Sequence, residues 1–368
     1  MEIGIFDSFL TVADFRVKAR CLHQLVDVLA LLLCGTLAGC DDLPEICDYG
    51  RAHLVFLRTE LGLELRNGIR SEDTLERILK QLLPRELAQS LRACTGVVTG
   101  YLAAKHVCID GKEHRGTVPA GARHALIQTV SVWVAEAQLS FGQVQVGAKT
   151  NEKTAIPLLL DTLDVAGSVV TIDAIACQQS LVTNLVARGA DYVIALKKNQ
   201  KHLFEQVSER LLAQAPHLPA HTVRELGHGR GERRTVRICQ DLTLLEACAP
   251  WAGLRTLVLV ETARHTATGT THTQRFYLSS LTDPDPATYA RLVRQHWSIE
   301  NQLHWQLDVT FREDQCRLRT GNAALNANIL RKMALYLLSQ TPENISKKRK
   351  RKRAAYDNSF LVSILKSA

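Results

Sequence analysis

The sequence predicts a mixed α/β fold behind a helical N-terminal domain. Three observations carry this reading. Apolar residues up to about position 96 recur at helical spacing with no strand pattern between them. From about 105 onward, short β-rich runs alternate with helical ones. Two of those runs, His106-Val107-Cys108-Ile109-Asp110 and Ser168-Val169-Val170-Thr171-Ile172-Asp173, end in an aspartate. A chain of 368 residues, 46% hydrophobic and 22% charged, fits two or three globular domains and excludes a disordered, collagen-like or mucin-like chain.

The first domain is read as residues 1–98. Val26, Leu29, Ala30, Leu33 and Leu37 line one helix face, and 51–61 is amphipathic. Ser71 stands as an N-cap before Thr74-Leu75-Glu76-Arg77-Ile78-Leu79. The second domain is read as 104–340. Strands at 106–110, 125–135 and 138–146 are joined by short turns, and strands at 168–173 and 192–196 follow helices at 154–163 and 178–188. Turns between the early strands and crossover helices between the later ones specify a mixed sheet. From about 200 to 280 a β-rich insertion interrupts that order, with strands at 235–239, 256–261 and 275–281 and a loop at Gly227-His228-Gly229-Arg230-Gly231. A long helix then starts near Ala287 with its apolar stripe at Tyr289, Leu292, Val293, Ile299, Leu303 and Leu307. A last helix covers 322–338, and a basic C-terminal tail covers 341–368.

The formal charge of +8 comes almost wholly from the unbroken run Lys347, Lys348, Arg349, Lys350, Arg351, Lys352 and Arg353. Such a run reads either as a solvated tail or as a non-specific phosphate contact. Ten cysteines include no Cys-x-x-Cys pair and no finger spacing with histidine, which argues against a zinc ribbon or finger and suits a reducing compartment. The N-terminus lacks the pattern of a signal peptide, and the most apolar stretch, 28–38, is too short to span a bilayer. The expectation is a soluble cytoplasmic protein.

Three carboxylates ask for an explanation. Asp110 and Asp173 close two strands at a sheet edge, where ligand sites lie. Each also has a plain structural reading, Asp110 as a turn residue before Gly111 and Asp173 as a helix cap. Glu300 falls within the apolar stripe of the long helix, so its charge must be paired, with Arg294 or His296, or bound to a metal. Convergent carboxylates favour a hard cation, Mg²⁺ or Mn²⁺, and two such ions can activate an attacking oxygen and stabilise a leaving one at a phosphodiester. Glu313, Asp314, Arg317 and Arg319 read equally as a solvated cluster or a phosphate contact.

Three segments carry a family resemblance: Ile109-Asp110-Gly111-Lys112-Glu113-His114-Arg115-Gly116-Thr117, Thr171-Ile172-Asp173-Ala174, and the long Trp- and His-rich run His296-Trp297-Ser298-Ile299-Glu300-Asn301-Gln302-Leu303-His304-Trp305-Gln306-Leu307-Asp308-Val309-Thr310-Phe311. They resemble the ISAs1 family of bacterial transposases, the H-repeat-associated type within the IS4-like DDE group. Asn67-Gly68-Ile69-Arg70-Ser71-Glu72-Asp73-Thr74 resembles a segment of the domain that accompanies them, with Arg70 and Glu72 substituted. The resemblance implies an RNase H-like mixed sheet with a β-rich insertion, and an insertion-sequence transposase that cuts element ends and transfers strands into target DNA. It implies Asp110, Asp173 and Glu300 as catalytic, metal-holding residues with two Mg²⁺ or Mn²⁺ ions. DNA contacts are expected from Lys112, Arg115, Lys197, Lys198, Arg294, His296 and Asn301, and from the basic run 347–353. Terminal inverted repeats and target DNA as partners, a homodimer on DNA, and a bacterial cytoplasmic protein on the nucleoid when bound complete the expectation. A decayed or domesticated DNA-binding relative and a non-transposing nuclease of the same fold are the alternatives. The wider group often carries Tyr-x-x-Arg-x-x-x-Glu-x-x-x-x-x-x-Lys; here His296 stands four residues before Glu300 and Leu307 seven after it.

Overall fold

The computed structural model describes residues 4–17, 19, 21–94, 101–117, 127–146, 152–227, 230–243 and 245–367. Residues 1–3 and 95–98 of the N-terminal domain, the first two residues of the 125–135 strand, and the loop residues His228 and Gly229 lie outside them.

The N-terminal part is helical: α1 (Gly4–Phe9), α2 (Leu25–Leu37), α3 (Leu43–Ala52), α4 (Leu54–Thr59), α5 (Glu72–Gln81) and α6 (Pro84–Cys94). α2 is buried on nearly every side, as an apolar helix with little polar face must be. Asp42 starts α3 by accepting a hydrogen bond from the Glu45 amide, with Pro44 in the first turn.

The sheet follows: β1 (His106–His114), β2 (Ile127–Val134), β3 (Leu139–Val146), β4 (Val169–Ile172) and β5 (Asp191–Leu196). β1, β4 and β5 run parallel, while β2 and β3 are antiparallel. Helices α7 (Glu152–Leu160) and α8 (Gln179–Ala187) precede β4 and β5, as the element order predicts.

The insertion is not a separate sheet. It contributes β6 (Ala220–Gly227), β7 (Arg230–Cys239), β8 (Thr256–Thr266) and β9 (Gly269–Ser279), and β9 pairs with β5. One nine-stranded sheet results, in the order β3-β2-β1-β4-β5-β9-β8-β7-β6. β6 is a mostly exposed edge strand with little apolar alternation to read. Helix α9 (Lys201–Gln214), also unread in the sequence, buries Leu203, Val207 and Leu211 against the sheet.

Helices α7, α8 and α9 close one face of the sheet. On the other face lie α10 (Pro286–His296) and α11 (Ala323–Gln340). α11 also packs on α2, α5 and α6, so the N-terminal helices share one apolar core with the C-terminal ones.

Residues 341–368 depart from a solvated tail. They form α12 (Lys347–Ala354), capped by Ser346, and α13 (Asn358–Leu365), capped by Asp357. Lys350 Nζ donates to the carbonyls of Leu338 and Thr341, at the C-terminal end of α11. The Arg351 guanidinium donates to the carbonyl of Thr36 in the last turn of α2, to that of Cys40 just past it, and to Asp41. Helix ends leave carbonyls unsatisfied and carry partial negative charge, so buried cations close them. Among the described residues no helix is long and apolar enough to cross a membrane.

Candidate active site

Strand alternation sets the site. Val107 and Ile109 enter the core beneath α7 and α8, so Cys108, Asp110, Lys112 and His114 face the opposite side. The parallel register pairs Ile109 with Ile172, which brings Asp110 and Asp173 out next to one another where β4 ends. Both touch one small, mostly apolar cavity at the sheet edge, lined also by Ile109, Gly111, Val130, Ile172 and, from α7, Ile156. Lys197 Nζ lies 3.2 Å from Asp173 Oδ2, and His304 Nδ1 lies 3.5 Å from Asp110 Oδ2. Burial, reinforced by Lys112 and Lys332, holds the His304 imidazole down to about 3, so the ring beside Asp110 is neutral.

Glu300 corrects the sequence reading. Ile299, Leu303 and Leu307 are buried, but Glu300 is exposed and does not point to the core. The helix continues beyond α10 as two π-helical segments, Ile299–His304 and Gln306–Thr310. A π-turn holds more residues than an α-turn, so every fourth residue stays on the buried line and position 300 falls beside it. Such segments concentrate at functional sites. His304, about one turn beyond Glu300, is the residue that reaches Asp110, so this segment docks directly on β1.

Two adjacent carboxylates suit a hard, oxygen-seeking cation. Glu300 faces a different space from the Asp110–Asp173 cavity, and among the described residues no three Asp, Glu, His or Cys gather closely enough to hold a metal.

The space before Glu300 is a groove of about 640 Å³ between α10 and the outer strands. Arg234, Arg264, Arg275 and Arg294 line it. The Arg275 guanidinium sits 5.0 Å from the ring centroid of Trp297. In the free protein Glu232 pairs with Arg234 and, at 3.5 Å, with Arg264, and Glu225 lies 3.3 Å from Arg294. Arginines beside an aromatic ring are suited to a nucleic-acid strand. Arg294 is among the DNA contacts expected above, and Arg234 belongs to the arginine-rich run of β7. Arg264 on β8 and Arg275 on β9 carry no local signal, because which side chains face the groove depends on strand register.

The expected DNA contacts divide. Lys198 is exposed, Arg115 is exposed and 3.9 Å from Asp314, and Lys197 and Arg294 flank the acids as described. Lys112 is turned inward instead: its Nζ is 2.5 Å from Asp308 and 3.7 Å from Glu313. The Asn301 amide donates to the Trp297 carbonyl. His296 bonds Thr171, and burial holds its ring down to about 4. Lys350 and Arg351 close helix ends. Glu313, one of the cluster at 313–319, is 3% exposed and sits among Lys112, His114 and Arg331, with the Asn328 amide donating to it at 2.8 Å.

Residues 102–337 match the family described as "Transposase DDE domain", and residues 6–94 match the one described as "DDE_Tnp_1-associated". The chain belongs to the DDE transposase family. Relatives of this transposase include "Putative transposase YncI" of Escherichia coli O157:H7, 34% identical over 99% of this chain and 95% of that protein. "H repeat-associated putative transposase YhhI" of Escherichia coli K12 is 32% identical over 98% and 97% respectively. DDE transposases are nucleic-acid-cutting enzymes with DNA as substrate, and their catalytic domains generally use divalent metal ions.

Proposed function

We propose that this transposase cuts DNA at the ends of an insertion sequence and joins the freed 3′-OH ends to target DNA, with Asp110, Asp173 and Glu300 as its acidic triad. The observation that carries the assignment is the Ile109–Ile172 register, which places two aspartates together beside a helix segment bearing a glutamate. Asp110 and Asp173 would hold the Mg²⁺ or Mn²⁺, two ions in all, and Glu300, which faces the neighbouring groove in the free protein, would complete the set only when bound DNA draws its helix segment toward the pair. Bound there, the metal supplies activation of the attacking oxygen and charge stabilisation at the leaving oxygen.

The chain's own groups position the DNA. The groove arginines take backbone phosphates along α10, which leads the strand past Glu300, and Trp297 offers a stacking surface. Lys197 holds Asp173 beside the scissile phosphate, and Lys198 and Arg115 add phosphate contacts. Water, then a DNA 3′-OH, attacks phosphorus and displaces the leaving oxygen, with no covalent protein intermediate. The DNA recognised comprises the terminal inverted repeats and the target, bound by a homodimer that brings two ends together. The protein works in the bacterial cytoplasm, on the nucleoid when bound to DNA. The domains are 1–98, 104–340 and the basic C-terminal segment 341–368.

The test incubates purified protein with end-containing DNA and Mg²⁺. Asp110→Asn, Asp173→Asn and Glu300→Gln should each slow cleavage by about 10²–10³-fold or more, with an unchanged circular dichroism spectrum. Wild-type rates in all three variants would sink the triad. Nicking without joining would mark a nuclease, and binding without cutting a decayed descendant.

A further inference from the structure

We infer that the N-terminal helical part carries its own phosphate pocket, built by His23, Arg70 and Arg77, which takes the DNA backbone at a point separate from the carboxylate centre. The inference rests on DNA being the substrate. A cavity of about 390 Å³ lies between the segment before α2 and helix α5. Thr74, Arg77 and Gln81, spaced three and four apart, put one face of α5 along it, and Arg70 enters from just before the helix.

His23 points to a ligand. It is 6% exposed, and neither ring nitrogen has a hydrogen-bond partner among the described residues. A neutral imidazole carries one N–H, and a buried donor without an acceptor is costly. The charged groups lining the cavity are arginines, which only donate, and neither Thr74 nor Gln81 bonds the ring. Arg16 donates to Asp14 and to the His23 carbonyl, so it is neutralised and pins the segment. Arg70 and Arg77 make no side-chain hydrogen bond and no ion pair within 4 Å among the described residues, so their guanidinium donors are open to a ligand. Burial, then Arg70, Arg16 and Arg58, hold the His23 ring below its ordinary range, which reports the same positive field.

A group with several acceptor oxygens and negative charge satisfies all three side chains. The cavity is larger than a lone ion needs, which leaves room for the sugar on either side of a backbone phosphate. Phe15 and Leu22 at the rim are exposed apolar groups that would lie against those sugars. The contact is to backbone, so it sets register on the duplex without reading bases.

The test uses the full chain and a fluorescent duplex of arbitrary sequence, with anisotropy read in EDTA so that cleavage does not enter. Arg70→Ala and Arg77→Ala should each weaken binding by about 3–10-fold, and the double variant should lower the slope of log K against log salt by about 1, the loss of one phosphate contact. His23→Leu separates function from folding. It should weaken binding while leaving the melting temperature equal or higher, since it removes a buried polar group without partners. Millimolar inorganic phosphate should raise the melting temperature of the wild type and not of the Arg70→Ala/Arg77→Ala protein. Unchanged affinity and salt slope in the double variant, or a loss of stability in His23→Leu equal to that of an ordinary core histidine, would overturn the pocket. Neither result would touch the triad, which the cleavage assay reads separately.

Discussion

Nδ1 of His296 lies 2.9 Å from the hydroxyl of Thr171, which ties the helix leading to Glu300 to the strand that ends before Asp173. The link is part of a chain. The Thr171 hydroxyl is also 2.8 Å from Nε2 of His106, whose Nδ1 is 3.2 Å from Gln295 Oε1. The amide oxygen only accepts, so His106 donates through Nδ1 and accepts from Thr171 through Nε2. The Thr171 oxygen is then left to accept from His296. Every proton is placed only while both rings are neutral.

Burial keeps them so: His106 and His296 are each held down to about 4, against an ordinary 6.5. Between those values the unfolded chain binds protons that the folded chain refuses, so stability rises with pH across this window. It is fully present above about 6.5 and drains away as pH falls toward 4. Urea titrations at several pH values in that interval should show the midpoint falling steadily with acidification, and His106→Gln should flatten the dependence. A midpoint that is flat from neutrality to the lower end would contradict the buried neutral pair. Thr171→Val should slow cleavage without changing DNA affinity, because it unties Glu300 from the aspartate strand.

Glu313 is predicted to be a structural anion. Burial alone would push its carboxyl up, but His114, Arg331 and Lys112 outweigh it and hold the group down to about 2. Glu313→Gln removes the charge that those groups surround, and breaking a buried ion pair from one side costs about 3–5 kcal/mol. Thermal unfolding should shift down by many degrees, with DNA cleavage by the surviving folded fraction retained. A variant as stable as the wild type would show that solvent reaches the cluster.

The groove ion pairs predict opposite outcomes for neighbouring side chains. Glu232 and Glu225 occupy arginines that a phosphate would otherwise take. Glu232→Gln should tighten DNA binding by about 2–5-fold, the scale of a partly exposed ion pair. Arg264→Ala should weaken binding and reduce its salt dependence. Filter binding at two salt concentrations reads both, and equal affinity in the two variants would remove the groove from the DNA path.

Much of this was legible because it is periodic or local. Helical spacing marks α2 and α5, and β-rich runs point to Asp110 and Asp173 from sequence alone; only Asp173 follows a strand end, since β1 continues past Asp110 to His114, where pairing with β2 overrides the Asp-Gly turn signal. What could not be read depends on partners distant in sequence. Glu300 sits in the helical stripe at α-helical spacing, and only the switch to π-turns moves it to the surface. Lys112 looks like a phosphate contact beside Asp110 until β1 is paired and Asp308 and Glu313 come round to meet it. The edge strand β6 and the common sheet formed through β9 follow from pairing with β5, which no local pattern announces.

The basic run supplies the clearest division between charge for binding and charge for folding. Lys348, Arg349 and Lys352 are exposed, whereas Lys350 and Arg351 are each 5% exposed and satisfy the ends of α11 and α2. Removing the whole run would therefore unseat two helices as well as strip charge, and a loss of DNA binding in that deletion would say nothing about phosphate contact. The discriminating pair is Lys348→Ala/Arg349→Ala/Lys352→Ala against Arg351→Ala. The triple variant should keep its melting temperature and lose affinity with a salt slope reduced by up to about 3. Arg351→Ala strands carbonyls of α2 and leaves Asp41 without its 2.9 Å partner, so it should cost about 3–5 kcal/mol of stability. An Arg351→Ala protein that melts with the wild type, or a triple variant with unchanged affinity at both low and high salt, would break the division.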